Sequence, residues 1–131
     1  MRTVLKTIIL LLTFGFCADI LAQTSNSDEQ KLLEQADNAY QNGHFTTVDS
    51  LLAGSAGRMQ MQNRVKAYRL LALSALYTDR TELAESYSAK LLETDPFFTA
   101  YDDAQRFNDM LERLKKGSEK ITTASAWAES L

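Results

Sequence analysis

Two stretches of this chain match at a spacing of 36 residues, and that repeat limits the fold more than any other feature. Ala36 corresponds to Ala72, Gly43 to Asp79, and Val48 to Ala84. Each unit carries a small or β-branched residue on either side of a polar turn. Small residues let two helices approach closely, and the turn reverses the chain between them. A period of this length is the mark of stacked helical hairpins, in which no unit buries its apolar side alone.

The composition agrees with long helices. Proline occurs once and glycine five times in 131 residues, so helix breakers are scarce. Ala, Leu, Glu, Gln and Lys predominate after residue 25, whereas β-branched residues are thin. At 45% apolar and 24% charged, the chain reads as a globular domain and not as a disordered one.

Five helices are expected. Ser27-Asp28-Glu29-Gln30 has the capping-box form and opens the first, with Leu32, Leu33, Ala36, Ala39 and Tyr40 at helical spacing. Asn42-Gly43 ends it. The second runs from about Phe45 to Leu52, and Gly54 and Gly57 break the pattern. The third starts near Met59 or Gln62 and runs to about Tyr77. It is apolar on most sides, as a central helix is. Thr81 can cap the fourth, which Asp95-Pro96 stops. Asp102-Asp103 opens the fifth, with Ala104, Phe107, Leu111 and Leu114 on one face and Gly117 at its end. Residues 118–131 read as a flexible tail. The expected fold is all-α, a helical-repeat domain over residues 27–117.

The N-terminus reads as a secretory signal peptide over residues 1–22. Arg2 and Lys6 give a positive start, Ile8 to Phe16 a short apolar core, and Ala22-Gln23 a cleavage point. The apolar run is shorter than the ~20 residues a membrane span needs. Cleavage would leave 109 residues, remove Cys17, the one cysteine, and move the net charge from −3 to −4 by taking Arg2, Lys6 and Asp19 away. Disulfide and thiol chemistry then fall out of consideration. A weakly acidic chain without a basic cluster is a poor nucleic-acid binder.

The stretches ADNAYQNGHFTTV and ALSALYTDRTELAESYSAKLLETDP resemble tetratricopeptide repeats. The second has the small residue in each helix, the aromatic Tyr87 and the closing Asp95-Pro96. It departs at Thr81, where the family carries an aromatic, and the first unit lacks the closing proline. A narrower resemblance covers KAYRLLALSALYTDRTELAESYSAKLLETDPFF, DDAQRFNDMLERLKKG and ITTASAWAESL. These are similar to an N-terminal extension on TonB-dependent outer-membrane receptors of Bacteroidetes-type bacteria. There a signal peptide and a small helical domain precede an energy-coupling segment, a plug and a β-barrel. The sequence stops where the plug would begin and shows no alternating barrel strands. The resemblance implies an N-terminal domain, truncated or derived, in the periplasm and associated with the outer membrane. Its membrane attachment would come through a missing or separate barrel. A free-standing exported adaptor is the alternative.

Candidate chemistry is sparse. His44 is the one histidine and sits in a turn, without a second histidine or a mature cysteine to make a metal site. The pairs Asp28-Glu29 and Asp102-Asp103 fall at expected helix starts, where carboxylates answer the helix dipole. No phosphate loop, nucleophile elbow or zinc motif is present. No catalytic residue, metal or cofactor is expected. Met59, Met61 and Met110 suit core filling. Tyr40, Tyr68, Tyr77 and Tyr87 suit packing between helices with hydroxyls at the rim. The repeat resemblance implies a groove lined by the first helix of each hairpin, which would present Asp37, Gln41, Arg69, Leu73 and Tyr77 to a protein or peptide partner. Ile121, Thr122, Thr123, Ala124 and Ser125 resemble the segment before the receptor plug. The TonB energy-transducing system would dock there by strand addition.

Overall fold

A computed structural model describes residues 25–129, with residues 122–125 described by backbone alone. The expected signal peptide lies outside the described residues. Among those residues there are five helices and no strand: α1 over 25–41, α2 (Phe45–Leu52), α3 (Met61–Tyr77), α4 (Thr81–Thr94) and α5 (Gln105–Glu129). A single 3₁₀ turn, Ala56–Arg58, lies between α2 and α3.

The repeat expected from sequence is present in the backbone. At the end of α1 the N–H of Gly43 donates to Tyr40 O (3.0 Å) and that of His44 to Ala39 O (2.8 Å). At the end of α3 the N–H of Asp79 donates to Leu76 O (3.2 Å) and that of Arg80 to Ala75 O (2.8 Å). Donors and acceptors in the second turn are all 36 residues beyond those in the first. Both turns use one left-handed residue, Gly43 at φ 76° and Asp79 at φ 58°. This is the Schellman arrangement, which satisfies the last carbonyls of a helix while turning the chain. Val48 N–H then donates to His44 O and Ala84 N–H to Arg80 O, so each turn leads straight into the next helix.

Ala36, Ala72, Val48 and Ala84 are all fully buried. Around them Leu52, Leu71, Leu73, Leu91, Phe107 and Leu111 are closed off from water. Burying a leucine of this kind stabilises a fold by roughly 1.5–3 kcal/mol. On α3 every side chain from Leu70 to Leu76 is buried, which is the all-round burial expected of a central helix.

Two helix starts, those of α1 and α4, depart from expectation. Ser27 lies inside α1, which is already helical at residue 25, so it does not cap it. Glu29 reaches across instead, accepting hydrogen bonds from Gln60 N–H (3.1 Å) and Asn63 Nδ2 (2.7 Å). It thus supplies an anion at the N-terminus of α3. Thr81 does not cap α4 either. Arg80 takes that position without a side-chain bond, because the preceding turn already fixes the backbone there.

The fifth helix departs at both ends. It opens after Asp102-Asp103, because Asp103 is drawn to Arg69. It runs through Gly117, where a stop was expected, so 118–129 is helix and not a tail. A mid-helix glycine costs about 1 kcal/mol relative to alanine, and the Ala, Glu and Lys around it offset that. Gly117 has no left-handed φ. Among the described side chains of α5, Phe107, Met110 and Leu111 are buried and Leu114 packs half-buried against the core, whereas 118–121 and 126–129 are exposed. The expected stop at Asp95-Pro96 is met. Thr94 is the last residue of α4, and Asp95 is extended, as a residue before proline prefers.

Candidate functional site

The outer faces of α1 and α3 enclose an open groove of about 400 Å³. One wall is Gln30, Glu34 and Asp37 at helical spacing on α1. The other is Asn63, Lys66 and Arg69 on α3, and Leu33 and Leu70 complete the lining. The wall residues follow from the repeat. The faces of α1 and α3 that carry Ala36 and Ala72 are turned to the core, which leaves charged positions at the rim of the seam.

Asn63 is nearly buried and satisfied by Asn26 Oδ1 (3.0 Å) and Glu29 Oε2 (2.7 Å), which closes that end of the groove with neutral hydrogen-bonded groups and one carboxylate. Arg69 holds the middle. Its Nε donates to Asp103 Oδ2 (2.8 Å) and its Nη2 to Asp103 Oδ1, forming a two-pronged ion pair. The Asp103 side chain is only 8% exposed. Those hydrogen bonds hold the Arg69 guanidinium above its ordinary pKa against the opposing effect of burial, and Asp37 adds a more distant attraction.

Beyond Arg69 lies a cluster of aromatic rings. Tyr77 stacks on Phe45 with centroids 5.0 Å apart and rings 5° from parallel. Tyr40 meets both edge-on, at 5.8 Å from Phe45 and 6.1 Å from Tyr77. Burial, with the Tyr77 hydroxyl beside it, pushes the Tyr40 phenol from 10.0 up to about 12. Tyr77 itself is 55% exposed.

The five residues expected to face a groove therefore divide. Asp37 and Arg69 line it. Tyr77 stands on the surface next to it, stacked and more than half open. Gln41 is exposed near the end of α1 but is not part of the lining. Leu73 is fully buried and faces no groove, because α3 is covered on the side that a terminal helix would leave open. Arg69 is in the groove but is engaged by Asp103. No local spacing announces that pair, since 34 residues separate its members. The Phe45–Tyr77 stack was not foreseen either. Its only sequence signal is that both residues flank the repeated turns.

The other candidates resolve individually. Residues 121–125 are helical within α5, so the strand-adding conformation expected of them is not the one adopted. The repeating i→i−4 bonds of a helix leave no extended edge there for a partner strand. Ile121 is exposed. His44 is exposed at the start of α2, and among the described residues no group of three or more His, Cys, Asp or Glu is placed to hold a metal. Glu29 serves the start of α3 and Asp103 serves Arg69, so neither carboxylate pair spans a cleft. Met59 and Met110 fill the core, whereas Met61 is 63% exposed and does not. Tyr68 and Tyr87 pack between helices, with Tyr87 Oη donating to Asp49 Oδ1 (3.3 Å). No helix among the described residues is long and apolar enough to cross a membrane.

No protein-family model, no curated protein and no solved structure matches this chain.

Proposed function

We propose that the chain is a protein–protein interaction module without chemistry of its own, with tetratricopeptide-like hairpins presenting the α1/α3 face to a partner. The observation that carries this reading is the open groove on the outer side of the repeat, with ionic walls and a half-open aromatic cluster at one end. Aromatic and charged groups around a concave surface are the usual anchors of protein recognition. With the signal-peptide pattern of residues 1–22, the module works in the periplasm. On the sequence resemblance it is the N-terminal domain of a TonB-dependent outer-membrane receptor, or derived from one.

A free-standing exported adaptor is the second reading. The helical state of residues 121–125 favours it, since a segment that recruits an energy-transducing partner by strand addition needs an extended backbone.

A photo-crosslinking amino acid placed at Lys66, in the groove, tests the module in cells against the same group at Glu82, exposed on α4. Lys66 is expected to give one defined adduct in the cell-envelope fraction and Glu82 none. Equal labelling from both positions, or no adduct from Lys66, sinks the groove. A second arm uses Asp37→Ala, which should weaken the adduct while shifting Tm by little, as that side chain is exposed.

A further inference from the structure

The loop between α4 and α5, residues 95–104, is tied down at several points yet leaves two aromatic side chains in water. Phe97 N–H donates to Asp95 Oδ1 (3.1 Å) and Phe98 N–H to Asp95 O (3.2 Å), which closes a turn around Pro96. Lys115 Nζ donates to Phe98 O (2.8 Å), the Phe98 ring lies 6.4 Å from that of Phe107, and Asp103 is held by Arg69. Ala100 is buried. Between these anchors Phe97 is 88% exposed and Tyr101 83%. One exposed ring is ordinary, but two on one anchored loop form a presented pair. Asp95 and Asp102 flank the rings, and the loop has no base. That sign disfavours an anionic bilayer, which needs cations beside the apolar groups, and it calls for a basic acceptor.

The chain has such an acceptor beside the loop. On α5 an open hollow of about 550 Å³ is lined by Asp109, Glu112, Arg113, Lys116, Gly117 and Lys120, three bases to two acids. Gly117 puts no side chain into it, and a Cβ there would meet nothing within 4 Å. Glu112 is paired with Lys115 and Arg113 with Glu85, so these charges are already answered. Lys116 and Lys120 have no ion pair among the described residues, which leaves two cations against Asp109. The Lys115 ammonium joins the two features, since it touches both Phe98 O of the loop and Glu112 of the hollow.

We infer that this face pairs with a second copy of the chain: across a two-fold axis, Phe97 and Tyr101 of each copy enter the hollow at Gly117 of the other, with the loop's carboxylates against Lys116 and Lys120. Donor and acceptor side by side on one face suit a two-fold contact, in which each copy uses both once. The area agrees. An aromatic side chain buries ~150–250 Å², so two rings from each copy, with the surfaces they cover, reach the ~1,200–2,000 Å² of a stable interface, whereas one-sided insertion reaches about half. The pairing goes beyond the interaction reading above and uses a surface other than the α1/α3 groove.

The test is the oligomeric state of the exported chain, followed by sedimentation velocity as its concentration is raised. A reversible equilibrium between monomer and dimer is expected. Phe97→Ser with Tyr101→Ser should weaken the dimer at least roughly tenfold and leave Tm nearly unchanged, as both side chains are exposed. Lys116→Glu with Lys120→Glu should weaken it too, and adding Asp102→Lys should restore part of the loss. Gly117→Leu should raise Tm by favouring helix yet block the hollow, so that fold and pairing move in opposite directions. A monomer at every concentration overturns the inference, as does a dimer indifferent to the loop and Gly117 variants. So does a mass that grows past the dimer, which marks an open head-to-tail chain. The Lys66 crosslink reads the other face. Its adduct from a chain that stays monomeric leaves the module standing and the pairing fallen, and a dimer without the adduct does the reverse.

Discussion

The two hairpins share one backbone plan but differ in nearly every side chain that completes it. Their turns repeat the same hydrogen bonds 36 residues apart, with glycine in the left-handed position of the first and aspartate in that of the second. At the start of each hairpin, Ala36 and Ala72 are equally buried. Further on, Leu52 of the first hairpin corresponds to Ser88 of the second, and both are fully buried. Ser88 satisfies its hydroxyl by donating to Ala84 O at 2.7 Å. The first hairpin ends in a glycine-punctuated 3₁₀ turn, the second in Asp95-Pro96. The backbone hydrogen bonds and the small contact residues are what the repeat holds constant. The large side chains adapt to what lies alongside, which for α1 is α3 on one side and for α3 is a neighbour on each.

The widest gap between the hairpins should open at the Leu52/Ser88 position. Leu52→Ala removes a fully buried side chain and should cost about 2–5 kcal/mol of unfolding free energy, measured by urea titration. Ser88→Leu should also destabilise, by about 1–3 kcal/mol, because the second hairpin has no space for it. If Ser88→Leu proved neutral, the two positions would be interchangeable and the adaptation described here would be wrong.

The turns allow a finer comparison. Asp79→Gly relieves a left-handed conformation that costs a side-chain-bearing residue ~1–2 kcal/mol, set against the ~0.5–1 kcal/mol entropy of glycine. It should therefore stabilise by up to about 1 kcal/mol. Its ion pair with Arg106, at 3.6 Å between exposed groups, adds little to be lost. Gly43→Ala should destabilise by a similar amount. Open space surrounds that position, so the backbone alone carries the cost. Opposite signs in thermal melts are the expected result, and the same sign for both would mean that the turns are not equivalent.

The smallest effect is a pH dependence that belongs to the aromatic cluster. Tyr40 titrates near 12 in the folded chain against 10.0 unfolded. Below 10 both states hold the proton and its contribution to stability is complete. Between 10 and about 12 the unfolded chain loses the proton first, so stability declines as pH rises through that window. Tyr40→Phe should flatten this slope. An unchanged slope would place the high-pH loss on other groups, of which Tyr87, raised by burial and by Asp49, is the first to examine.

The sequence was readable wherever a local rule was decisive. Asn42-Gly43 and Asp95-Pro96 fixed two helix ends, and the 36-residue spacing identified the buried seam. It was less readable where a distant residue competed with a local signal. Asp103 had the position of a helix-opening carboxylate but a better partner in Arg69, and Glu29, one of the acidic pair expected to serve the start of α1, serves the start of α3. Gly117 looked like a stop because glycine commonly ends helices, but the residues beyond it favour helix strongly enough to continue. Of the residues expected to face a groove, Asp37 lines the one between α1 and α3. Leu73 is buried instead, because repeat position alone does not say which helices have a neighbour on both sides.

The unbroken buried run on α3 makes the two hairpins inseparable. A fragment cut between Ala53 and Gln60 would bare Leu70 to Leu76 along one flank, and the half holding α1 and α2 would lose the wall it leans on. The molecule repeats in pattern yet cannot be shortened by one unit. Its halves stand or melt together.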